Sequence, residues 1–123
     1  MRKTAKNSKR GVSERARKWV GERRPLALDR ALSILRDNRP RLSAMGVLHA
    51  GIFGSLARGE TRKGSDVDVF VVLDEARHLS VYDFVGIQHF LRDVLHPRVD
   101  LVERDAVKAD IREQVLIDAV DAF

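Results

Sequence analysis

The chain has 123 residues, no cysteine, and 44% hydrophobic against 33% charged residues, a balance that fits one globular domain. That length buries a real core but leaves no room for a second substrate-binding domain, and the missing thiols exclude disulfide staples and thiolate metal sites. No run reaches the roughly 18 apolar residues of a membrane span, and no apolar stretch follows the basic start as in a secretory signal, so a cytoplasmic protein without membrane contact is expected.

Charge is divided unevenly. Residues 1–24 carry ten Lys or Arg against two Glu, which is +8, while the remaining 99 carry thirteen against sixteen, which is −3. The chain therefore reads as a mildly acidic domain, residues 25–123, behind a basic and flexible extension, residues 1–24. Apart from Val12, Trp19 and Val20 the extension has little to bury, although Ser13 to Val20 suits a short helix with Ser13 as its cap. Two roles stay open for it: a solvated tail, or contact with a nucleic-acid backbone or an acidic partner surface.

From Leu26 the pattern turns helical, with Leu26, Leu28, Ala31, Leu32, Ile34, Leu35 and Leu42 forming the apolar stripe. Pro25 suits the first turn, and Asn38–Arg39–Pro40 ends or bends the helix. Val47 to Phe53 reads as a strand closed by Gly54. Ser55 to Glu60 supplies one or two helical turns, and residues 61–64 a loop. Val67 to Leu73 is the strongest strand signal, β-branched and bounded by Ser65 and Asp74–Glu75.

Val81 to Leu95 returns to helical spacing, with Val81, Phe84, Val85, Ile87, Phe90, Leu91 and Val94 expected inward, until His96–Pro97 stops it. Arg98 to Val102 is a third strand. A last helix is expected from about Ala106 to Ala122, with Val107, Ile111, Val115, Leu116, Ala119 and Val120 inward. Strands alternating with helices predict an α/β (α+β) layered domain, a small mixed sheet flanked by helices.

Three features of residues 51–75 and the later RVDLV segment carry chemistry. Gly54–Ser55 ends a strand and opens a short helix; glycine allows close backbone approach, the following amides point outward at an anion, and the Ser55 hydroxyl can donate to a phosphate oxygen. Asp66 and Asp68, two apart on a strand, share one face, with Val67, Val69 and Val71 on the other. Two like charges side by side repel unless a cation lies between them, and hard carboxylate oxygens suit Mg²⁺ or Mn²⁺. Asp100 stands mid-strand between Val99 and Leu101, where Asp is disfavoured, and completes a three-carboxylate cluster if its strand lies beside the Asp66–Asp68 strand.

Singly each feature is weak. Together Gly54, Ser55, ten residues, then Asp66 and Asp68 recur by chance in roughly one chain of this length in a thousand. The four histidines, His49, His78, His89 and His96, show no ligand-like spacing.

The G-S-x10-D-x-D pattern, set in FGSLARGE and SDVDVFV, resembles the minimal nucleotidyltransferases of the DNA polymerase β-like superfamily; VDLV and IREQVLIDAV resemble that family's last strand and helix. The resemblance spans about residues 26–122. It implies the nucleotidyltransferase fold and a nucleoside triphosphate, ATP, held by Gly54 and Ser55 with Arg58 adding charge. Asp66, Asp68 and Asp100 would bind Mg²⁺ (or Mn²⁺), with Asp100 helping to deprotonate an attacking hydroxyl. Arg62 and Lys63 are either cations near the departing phosphates or simply solvated.

Only 21 residues follow Val102, so a partner chain is expected to complete the acceptor site. The resembled subgroup pairs with a small helical HEPN protein, typically a toxic ribonuclease, and acts as antitoxin by transferring AMP to its tyrosine. Two other readings stay open: a non-catalytic nucleotide-binding or masking subunit, and a nucleic-acid-associated protein acting through the basic tail.

Overall fold

The computed structural model describes residues 26–60, 65–106 and 108–123. The extension at residues 1–24, its Ser13–Val20 helix, Arg62, Lys63 and Val107 lie outside the described residues.

The first helix, α1 (Leu28–Asp37), buries Ala31, Leu32 and Leu35, three positions of the stripe. Asp29 in its first turn and Arg36 in its last complement the helix dipole. The Asn38 side chain donates to Ile34 O at 2.8 Å and stops it. A short α2 (Arg39–Ala44) then restarts with Pro40 in its first turn, where a missing N–H costs nothing. Strand β1 (Val47–Phe53), a single turn α3 (Gly54–Ala57) and strand β2 (Val67–Leu73) follow. Helix α4 (Val81–Val94) starts at a capping box in which Asp83 N–H donates to Ser80 Oγ at 3.2 Å and Ser80 N–H donates to Asp83 Oδ2 at 2.7 Å. Strand β3 (Val99–Glu103), helix α5 (Ala109–Asp118) and the two-residue β4 (Val120–Asp121) complete the chain.

The sheet is mixed and four-stranded, in the order β3-β2-β1-β4. β1 runs antiparallel to β2 and β4, whereas β2 and β3 are parallel and joined by the α4 crossover that such a pair requires. Alternation sorts the two faces. Ala50, Ile52, Val67, Val69, Val71, Val99 and Leu101 face α1, α2 and α4 and form the main core with Leu35, Leu42, Ile87 and Leu91. Phe53 and Phe70 face the other way, onto Val115 of α5 with Val102 and Ala119.

Three expectations change. The last helix stops at Asp118 because Ala119 is extended (φ −64°, ψ 135°), and Val120 pairs with Ile52 of β1. Covering an otherwise open strand edge outweighs another helical turn. Ile111 and Leu116 are exposed rather than inward, and among the described residues of α5 it is Val115 that enters the smaller core. In α4 the inward stripe begins at Phe84; Val81 and Val85 are exposed, because at about 100° per residue they fall to the side of the face that carries Phe84, Ile87 and Leu91.

Gly51 packs tightly on the second face. A Cβ there would collide with the Phe70 ring and lie 2.5 Å from Val120 O. Gly51→Ala is expected to lower unfolding free energy by about 1–3 kcal/mol, the range for overpacking a filled core. A urea midpoint unchanged from wild type would show that both the Phe70 ring and the Val120 backbone move aside at no cost.

Candidate active site

The acids gather at one end of the sheet, where β1 finishes and β2 and β3 begin. Parallel register sets Asp68 directly beside Asp100, and antiparallel register sets Asp68 beside Phe53, so the residue after Phe53 closes over Asp68 from the other strand. That residue is Gly54, at φ +74°, in the left-handed region that favours glycine. A Cβ on it would collide with Asp68 Oδ2. The sequence thus folds locally so that a bare backbone turn lies against a carboxylate, with Ser55 in the first turn of α3 beside it.

Asp68 is half-buried on the α5 side of the sheet, the face that Phe70 shares. Burial, then the charges of Asp100 and Asp66, push its carboxyl up to about 6 from 3.8, while Arg58 pulls the other way. Asp100 is exposed. Asp66 stands one residue ahead of β2, and its Oδ1 accepts from Arg98 Nε at 3.0 Å. Among the described residues no three His, Asp or Glu side chains stand as a ready metal cage. Two carboxylates adjoin in register, and the third is turned to a guanidinium.

The donor set nevertheless suits a hard divalent cation. All three acids are oxygen donors; two lie side by side with no cation bonded between them among the described ion pairs, and the most enclosed is raised by burial and then by its like-charged neighbours. A cation bound there would offset the part of that shift that comes from the neighbouring charges.

Arg58 caps α3 and braces it against α5. Its Nη1 donates to Asp118 Oδ2 at 2.6 Å and its Nε to Glu60 Oε1 at 3.0 Å. Both partners raise its pKa, so it remains charged, and that charge reaches Asp68. Sequence reasoning missed Arg98 and Asp118. Arg98 was open to it, since strand alternation puts residue 98 on the face of Asp100. Asp118 carried no signal, because its partner is 60 residues away.

At this end of the sheet a glycine turn thus lies beside two registered acids on the neighbouring parallel strands. Residues 28–122 match the family described as Nucleotidyltransferase domain. The protein adenylyltransferase MntA of Thermococcus cleftensis is 36% identical over 96 residues, covering 77% of this chain and 95% of that protein. A solved structure described as that of a minimal nucleotidyltransferase superposes with a TM-score of 0.63 at 32% identity, covering 77% of this chain and 95% of the other. A mutant of the toxin–antitoxin MntA–HpeT gives a TM-score of 0.55 at 25% identity, covering 79% and 72%. The chain belongs to the nucleotidyltransferase domain family, and its fold is the family's mixed α/β fold.

The raised Asp68 sets a stability test. Its folded form holds a proton more tightly than the unfolded form, so ionised Asp68 costs nothing below pH 3.8 and the full amount above about 6. In metal-free protein, Asp68→Asn is expected to stabilise at pH 7–8 by roughly 1–2 kcal/mol, reduced from a full ~3 because solvent reaches the group. The gain should vanish near pH 4 in paired denaturation curves. A gain that is the same at both pH values would show that the charge of Asp68 is not the cause.

Proposed function

We propose that this chain is a metal-dependent adenylyltransferase that moves AMP from ATP to a tyrosine hydroxyl of a small helical HEPN-type toxin, and so acts as its antitoxin. The observation that carries the reading is the registered pair Asp68 and Asp100 with Gly54 backed onto Asp68. Family membership supports the chemistry, the name of the Thermococcus relative supports a protein acceptor, and the toxin–antitoxin neighbour supports a toxin as that acceptor.

Each residue has a task. Gly54 admits the triphosphate close to the backbone, and Ser55 donates its hydroxyl to a phosphate oxygen. Asp66, Asp68 and Asp100 hold Mg²⁺ or Mn²⁺ together with the phosphates. When bound, the cation offsets phosphate charge and makes the hydroxyl more acidic. Asp100, the exposed acid, takes the proton of the acceptor hydroxyl as its oxygen bonds to the α-phosphorus. The bond from the α-phosphorus to the bridging oxygen breaks, and pyrophosphate leaves with that electron pair. Arg58, kept charged by Asp118 and Glu60, adds positive potential without changing partners.

The test is incubation of the full chain with α-labelled ATP, Mg²⁺ and a co-expressed HEPN protein. Label should enter the partner, disappear with chelator or with a tyrosine-free partner, and fall at least ~100-fold in Asp68→Asn and Asp100→Asn. Transfer that persists in both variants, or nucleotide binding indifferent to Mg²⁺ with no label in the partner, would sink the assignment.

A further inference from the structure

One cation beside the acids takes no part in the function just described. Arg98 immediately precedes β3, and the parallel register pairs Val67 with Val99 and Asp68 with Asp100. One step back along both strands, Arg98 falls opposite Asp66. Alternation brings residues 98 and 100 to the same face, so the Arg98 guanidinium belongs to the face of the acids.

The backbone of Arg98 is anchored on both sides. Val67 N–H donates to Arg98 O at 3.0 Å, and Arg98 N–H donates to His96 Nδ1 at 3.0 Å. Burial, then Arg98, hold His96 below its ordinary value, while Asp66 acts the other way. The Arg98 side chain spans to Asp66, Nε to Oδ1, at 3.0 Å. The two side chains are 59% and 56% exposed, and ion pairs that open to water are held weakly. Arg58 is tied differently, by a 2.6 Å bond to Asp118, whose side chain is 7% exposed.

We infer that Arg98 is a positioning residue that occupies Asp66 in the resting protein and makes metal entry depend on nucleotide, an inference that rests on the metal-dependent reading of the site. A divalent ion arriving alone has to displace the guanidinium from Asp66, which leaves an unpaired cation beside the incoming charge. A triphosphate gives that guanidinium another anion, matched to its planar fork, and Asp66 is released to the metal. Metal and nucleotide therefore load together.

The test is Mn²⁺ binding to the full chain by calorimetry, with and without a non-hydrolysable ATP analogue, in wild type, Arg98→Gln, Arg98→Lys, Arg30→Gln and Asp68→Asn. Arg30 is exposed on α1 and controls for the loss of one positive charge. Arg98→Gln should bind Mn²⁺ alone about 3- to 10-fold tighter than wild type, as expected for release of an exposed charge pair. The help that nucleotide gives to Mn²⁺ binding should shrink by the same factor. Arg98→Lys should keep near-wild-type affinity for Mn²⁺ alone, since it keeps the charge beside Asp66, with a smaller gain from nucleotide because it lacks the fork, and Arg30→Gln should be unchanged. Unaltered Mn²⁺ affinity in Arg98→Gln, or an equal gain in Arg30→Gln, overturns the role of Arg98. Mn²⁺ binding that ignores Asp68 with and without nucleotide overturns instead the site reading beneath it.

Discussion

Parallel pairing of β2 with β3 brings Asp68 and Asp100 side by side, and the rest of the site is organised around that repulsion. Like charges directly opposite each other weaken a strand pair. The pairing holds because the intervening residues point the other way: Val67, Val69, Val99 and Leu101 are buried in the main core under α4. The same alternation that delivers the acids to one face delivers their apolar neighbours to the other. Removing the acids would relieve the sheet; removing the valines and Leu101 would undo it.

The two faces divide the work. One is covered by three helices and holds most of the buried side chains. The other is covered by α5 around Phe53, Phe70 and Val115, a much smaller cluster, and beyond Phe70 the same row of β2 ends in Asp68. A half-buried carboxylate raised towards neutral pH is an unfavourable group, and its cost is offset by packing on the opposite face. Gly54 extends the same logic. A left-handed glycine contributes little to stability, yet only a residue without Cβ leaves the backbone against Asp68.

Much of this was legible in the sequence because it is local. The bounds of β1 and β2 follow from β-branched runs closed by Gly54 and by Asp74–Glu75, and the pairing of Asp68 with Asp100 follows from two strands of one strand-helix-strand unit. What was not legible depends on distant partners. Val120 carries a helical period with Val115 and Leu116, and only the open edge of β1 converts it to a strand. Leu116 and Ile111 look inward by spacing, but spacing does not say how little sheet remains uncovered for α5. The bracing of Arg58 by Glu60 and Asp118 was likewise out of reach, because Asp118 lies 60 residues further along the chain.

The two arginines show how equal charges acquire different duties. Arg58 meets a carboxylate that is almost enclosed, where water screens an ion pair little. It is therefore a fixed source of potential and a brace between α3 and α5. Arg98 meets a carboxylate that water already reaches, so exchanging Asp66 for another anion costs little. A site that must be stable when empty and still admit a multivalent ligand needs both kinds: one cation whose position does not change, and one whose partner can.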